Sequence, residues 1–189
     1  MLFRSIVVGS DFNVNPMCWI LSHKIGNGDT ATLDVFDELV IRNTNTEKTL
    51  ELLAKRYGQH RAGWLFCGDA TGRSRKTSAS ESDYVQIRND DRFVDRRVSY
   101  PKSNPSVVNR FAACNALLKN AAGVRRCRIN PKCKRLIDDL TDRAWKEGTR
   151  EPDDYADMGH ASDAFGYIVT RLFPIRVDVS GETPEIFGG

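Results

Sequence analysis

The chain has 189 residues, 40% of them hydrophobic, which supplies one sizeable core and little more, so a single compact domain is expected. Its 28 Lys and Arg against 25 Asp and Glu leave a formal charge of +3, too small to mark a nucleic-acid binder by total charge alone. No apolar run approaches the roughly 18 residues that span a bilayer, and the first nine residues lack the pattern of a secretion signal, so a soluble intracellular protein is expected. Cys18, Cys67, Cys114, Cys127 and Cys133 are odd in number and contain no CxxC pair. They read as reduced, mostly buried thiols. His23, His60 and His160 are far apart, which argues against a zinc site and leaves carboxylates as the candidate metal ligands.

Residues 5–11, SIVVGSD, form a β-branched run that ends in Asp11. Residues 17–25 and 30–40 are strand-like too, and Gly26-Asn27-Gly28-Asp29 between them signals a turn, so three antiparallel strands are predicted to open the fold. Residues 46–57 place Leu50, Leu53, Ala54 and Tyr57 on one helical face, with Gly58 as a cap. GWLFCGD at 63–69 is continuously apolar and predicts a central strand covered on both faces, again ending in an acid, Asp69. A loop rich in hydroxyls and bases follows, then a helix at 80–89 and a short strand at 96–100. The helix predicted at 105–122 has Val108, Phe111, Ala112, Leu117 and Leu118 as its stripe and Gly123 as its stop. A strand at 126–130 and a helix at 131–145 precede the last helix, 154–173, which turns Ala161, Ala164, Phe165, Ile168 and Leu172 to the core and ends at Pro174. This order describes an α/β domain, a mixed central sheet flanked by helices, over residues 1–176. Residues 177–189 lack periodicity and read as a flexible tail or linker.

Three acids stand out: Asp11 and Asp69 at strand ends, and Asp163 within the apolar last helix. Ligands of open α/β sheets collect beyond the carboxyl ends of strands, and a right-handed crossover through 46–57 makes the strands ending in Asp11 and Asp69 parallel neighbours. Carboxylates gathered there repel one another unless a cation neutralises them, and Mg²⁺ or Mn²⁺ is the simplest one. Two such ions about 3.5–4 Å apart suit phosphodiester hydrolysis. Singly, Asp11 and Asp69 read equally well as turn formers or helix caps. Asp163 is harder to dismiss, because helix interiors disfavour Asp. His160 lies one turn before Asp163, and Asp157 one turn before His160. Two readings of His160 stay open: a group that binds metal, orients water or carries a proton, and a helix-face histidine bonded to a neighbour. Asp153 and Asp154 read as helix-start acids and Asp157 as a supporting residue. GDATGRS at 68–74 lacks the spacing and the lysine of a phosphate-binding loop, so no nucleotide motif is present.

VVGSDFNVNP around Asp11, WLFCGDATG around Asp69 and DMGHASDAFGYIV around Asp163 together resemble the C-terminal nuclease domain of the large terminase subunit of tailed bacteriophages, a ribonuclease H-like fold. The resemblance covers residues 4–173, and its most specific part is the Gly-His-x-x-Asp-Ala run. It implies a metal-dependent endonuclease that cuts double-stranded, concatemeric viral DNA during genome packaging in the host cell cytoplasm. Asp11, Asp69 and Asp163 would be its metal-binding acids, His160 an accessory catalytic residue, and two Mg²⁺ or Mn²⁺ ions its cofactor. The family's full-length protein also carries an N-terminal packaging ATPase and works with a small terminase subunit and a portal, so an excised domain is implied.

Arg73, Arg75 and Lys76 directly follow the Asp69 strand and are the expected DNA-phosphate contacts. Arg96, Arg97 and Lys102, and separately Arg125, Arg126, Arg128, Lys132, Lys134 and Arg135, read as solvated faces. Aromatics near these clusters are sparse, which favours backbone binding over base stacking. Residues 142–155 have the composition of a flap. Two other readings compete: a ribonuclease H-like enzyme acting on junctions or on RNA, and a non-catalytic module that docks a portal or motor.

Overall fold

The computed structural model describes residues 4–74, 81–143, 146–149 and 158–175. Strands β1 (Ile6–Asp11), β2 (Met17–Ile25), β3 (Thr32–Ile41), β4 (Trp64–Gly68), β5 (Arg96–Ser99) and β6 (Cys127–Ile129) form one mixed sheet in the order β5-β4-β1-β2-β3-β6. β1, β2 and β3 are antiparallel, as predicted; β4 lies parallel to β1, and β5 parallel to β4. β6 extends the far edge in parallel with β3.

Period-two alternation divides the sheet's side chains between two cores. Ile6, Val8, Trp19, Leu21 and Phe66 face helices α1 (Thr46–Tyr57) and α2 (Asp83–Asn89), which contribute Leu50, Leu53, Tyr84 and Ile87. Val7, Cys18, Ile20 and Cys67 face α3 (Val107–Leu118), α4 (Lys134–Asp142) and α5 (His160–Leu172), which contribute Cys114, Leu117, Leu136, Phe165 and Ile168. Strands covered on both faces explain the continuous apolar runs of β1 and β4.

Three expectations need correction. The buried face of α3 is Arg110, Ala113, Cys114 and Leu117, which shares only Leu117 with the predicted stripe, and Val108 points to solvent. This helix ends at Leu118, and Gly123 closes a separate turn bonded to Asn120. Within the described residues the last helix starts at His160, after Gly159 in a left-handed conformation (φ 102°), so Asp163 belongs to its first turn. There the helix dipole favours an acid rather than disfavouring it. His23 and His60, distant in sequence, also come together, with ring centroids 6.4 Å apart.

Two helices of the second layer are capped by carboxylates from other elements. Glu38 of β3 accepts from the Arg135 and Leu136 amides of α4, both at 2.9 Å. Asp139 of α4, itself buried, accepts from the Ala161 and Ser162 amides of α5 at 2.9 and 3.1 Å. Next to Glu38 on β3, buried Asp37 accepts from the Tyr57 hydroxyl and pairs with Arg56 at 3.3 Å and Lys132 at 3.2 Å. Burial pushes the Asp37 pKa up, but the bonds from Tyr57, Lys132 and the backbone outweigh it and hold the group below the ordinary aspartate value.

All five cysteines are free thiols, four of them buried and Cys127 partly so. Burial pushes the Cys67 and Cys114 pKa values up to about 12 and that of Cys133 up to about 11. Among the described residues no helix is long and apolar enough to cross a membrane. The expected tail at 177–189, Arg75, Lys76, Asp153, Asp154 and Asp157 lie outside the described residues.

Candidate functional site

Sheet register sets the first two acids. Ser10 of β1 pairs with Gly68 of β4, so Asp11 and Asp69 follow at one level where two adjacent parallel strands end. Helix α5 is brought to the same end by Gly9: a Cβ there would lie 2.1 Å from the Ala164 carbonyl and 2.7 Å from Ile168. Only glycine lets the helix backbone lie on β1 so closely. This close crossing carries His160 and Asp163, on the first turn of α5, over the end of β1.

His160 Nδ1 bonds Asp11 Oδ2 at 2.8 Å, and its Nε2 accepts from Asn13 Nδ2 at 3.2 Å. Asn13 is oriented by its own Oδ1, which accepts from the Val14 amide at 3.0 Å. Both ring nitrogens are thereby engaged, which fixes the ring plane and its tautomer. Burial pushes the Asp11 pKa up; the His160 bond and charge pull it down, Asp163 and Asp69 add repulsion, and the group ends above the ordinary aspartate value. The bond to Asp11 raises the His160 pKa against the opposing effect of burial.

Asp163 is held by two arginines that sequence reasoning did not single out. Its Oδ1 accepts from Arg110 Nη2 and Arg143 Nη1, both at 2.8 Å, and the two guanidinium side chains are only 7% and 3% exposed. Arg143 also donates to the Ser162 hydroxyl at 2.9 Å and the Gly159 carbonyl at 3.3 Å, and Arg110 lies over the Tyr167 ring. Arg110 had a signal: Ala113, Cys114 and Leu117 at helical spacing put it on the buried face of α3. Arg143, within the segment expected to form a flap, had none, because its partner is 20 residues away on another element.

Asp69 is committed locally. Its Oδ1 accepts from the Gly72 amide at 3.0 Å and its Oδ2 from the Thr71 hydroxyl at 2.6 Å, capping a single 3-10 turn over Ala70–Arg73. Tyr84 donates to its carbonyl at 2.6 Å. Arg73 turns back on the protein and donates to the Ala70 and Lys102 carbonyls. Of the basic clusters, Arg96 bonds Asp91 and two carbonyls, Arg128 pairs with Asp34, and Arg126 bonds the Asp29 carbonyl, as solvated or bracing residues do.

Among the described residues no three His, Cys, Asp or Glu side chains gather closely enough to hold a metal ion. The donors nevertheless fit a hard divalent cation in kind: carboxylate oxygens, one of them desolvated and repelled by the other two, with an imidazole alongside. Asp69 joins such a set only by giving up its turn caps.

Comparison with protein-family models and with curated proteins gave no match. Comparison with solved structures gave two informative likenesses. The large terminase nuclease domain of P22 has a TM-score of 0.64 at 14% identity, with 90% of this chain and 83% of that one covered. The large terminase (g2p) nuclease domain of bacteriophage SPP1, solved with bound Mn, has a TM-score of 0.53 at 15% identity, over 89% and 86%. The fold is that of large terminase nuclease domains. It is ribonuclease H-like; in this chain the acids described above lie at the ends of β1 and β4 and at the start of α5.

Proposed function

We propose that the chain is a divalent-metal-dependent endodeoxyribonuclease that cuts double-stranded, concatemeric viral DNA, as the nuclease domain of a large terminase subunit. The observation that carries this reading is Asp11, desolvated, bonded to His160 and repelled by Asp163 and Asp69, at the end of β1. The shared fold and the Gly-His-x-x-Asp-Ala run support it. Asp11, Asp163 and Asp69 would hold two Mg²⁺ or Mn²⁺ ions. When bound, such ions supply positive charge at the phosphoryl oxygens and make water a better nucleophile. The chain's own residues prepare the site. His160, fixed at both nitrogens, orients the Asp11 carboxylate, while Arg110 and Arg143 hold Asp163 Oδ1 aligned on a rigid helix end. In this context the domain would work in the host cytoplasm beside a packaging ATPase, a small terminase subunit and a portal.

The test is plasmid cleavage with Mn²⁺ or Mg²⁺, with EDTA as the control. Asp11→Ala and Asp163→Ala each remove several kcal/mol of transition-state stabilisation, so nicking and linearisation fall by roughly a hundredfold or more. Full metal-dependent cleavage by either variant would falsify the assignment.

A further inference from the structure

Two open grooves lie near the candidate site, and they differ in charge. One, of about 670 Å³, is lined by Glu47, Glu81, Asp83, Asp90 and Asp91, with Arg92 as counter-charge. The other, of about 500 Å³, lies between the loop after β5 and helix α5, and its wall includes Ser99, Tyr100, Asn104, Tyr167, Thr170 and Arg171. Among the described residues no carboxylate lines this second groove. A polyanion is repelled from the first and accepted by the second.

The second groove also reaches the end of β4, at Gly68 just before Asp69. Tyr167, Thr170 and Arg171 are four, seven and eight residues beyond Asp163, so all four share one face of α5, and the face runs about 12 Å from Asp163 to Arg171. That length matches between three and four nucleotides of a strand at about 3.4 Å each. On the opposite wall, Gly68 adjoins Asp69, and Asn104 Oδ1 accepts from the Ala70 amide at 2.7 Å. Arg73 braces this wall by donating to the Lys102 carbonyl at 2.9 Å, and Lys102 itself is exposed. Arg171 is exposed at the far end, with its Nε on the Ser99 hydroxyl. Tyr100 already stacks on Tyr84 at 4.3 Å and carries the Arg88 guanidinium at 5.6 Å, so its ring is committed to the protein rather than to a base.

We infer that one sugar–phosphate strand of the DNA lies in the groove between the β5–α3 loop and α5, with Arg171 and Lys102 as its phosphate contacts. The inference rests on the nuclease reading and adds the path of its substrate. Backbone contacts of this kind carry no sequence information, so the path is the same for any duplex.

The experiment is fluorescence anisotropy of a labelled linear duplex in EDTA, titrated with protein over a series of salt concentrations, so that binding is read without cleavage. Arg171→Ala and Lys102→Ala each lower the slope of log affinity against log salt by about 0.9, and Arg171→Lys restores it. Arg128→Ala, on the opposite edge of the sheet, leaves the slope unchanged. Wild-type slopes in both alanine variants would overturn the inference. Lys102, on an exposed loop, keeps the test valid should Arg171→Ala fold poorly. Wild-type protein that cuts duplex with divalent metal while both variants keep their slope refutes the groove alone; wild-type protein that neither binds nor cuts duplex refutes the nuclease reading as well.

Discussion

Asp11, Asp37 and Asp163 are one side chain placed in three surroundings, and their neighbours decide what each does. Asp11 is desolvated and repelled, so its pKa rises despite the His160 bond. Asp163 is neutralised by two buried guanidinium groups. Asp37 is overcompensated by Tyr57 and Lys132, so its pKa falls. Because folding lowers the Asp37 pKa, the native state binds fewer protons there than the unfolded chain. Its stabilisation is therefore complete above the unfolded aspartate value of about 3.9 and is lost as the pH falls through the lower native value. Asp37→Asn should lower the melting temperature at pH 7, and the gap from wild type should narrow at pH 3; thermal melts at the two pH values check this. A constant gap would mean that the native carboxylate has an ordinary pKa.

Helix α5 is the element on which the site depends, and its start is built by residues distant in sequence. Gly9 sets how near it lies to β1, and Asp139 caps its first amides. Asp139→Ala leaves buried donors unsatisfied, which costs about 2 kcal/mol and lowers the melting temperature by roughly 4–8 °C. The same variant should cleave DNA more slowly, since His160 and Asp163 sit on the loosened turn; melting and plasmid nicking check the two effects. The elements themselves were legible because strand alternation and helical spacing are local patterns: α1 occupies the predicted residues, and β1 to β3 follow the predicted order. The α3 stripe was misread because Arg110 occupies a buried position that an apolar count passes over. The caps from Glu38 and Asp139 were invisible for a different reason, since nothing local marks a carboxylate whose partner lies on another element.

At the scale of the molecule, the two strand-end acids were legible because parallel pairing of β1 with β4 follows from crossover handedness, and the register then puts Asp11 and Asp69 at one level. Asp163 was found through a wrong premise. It sits on a first turn, where an acid is favoured; of its two arginine partners Arg110 was legible in the helical spacing of α3 but passed over, and Arg143 was not legible. Whether an oxygen turns toward a metal or caps its own turn, as at Asp69, is a rotamer choice that no spacing encodes. The scattered thiols have a practical consequence. Cys18, Cys67, Cys114 and Cys133 are shut inside the packed layers, while Cys127 stands at the sheet margin. Alkylation should thus be a clock for the opening of the chain: with iodoacetamide at neutral pH, mass spectrometry should find Cys127 modified first and the other four together, at the rate of global unfolding.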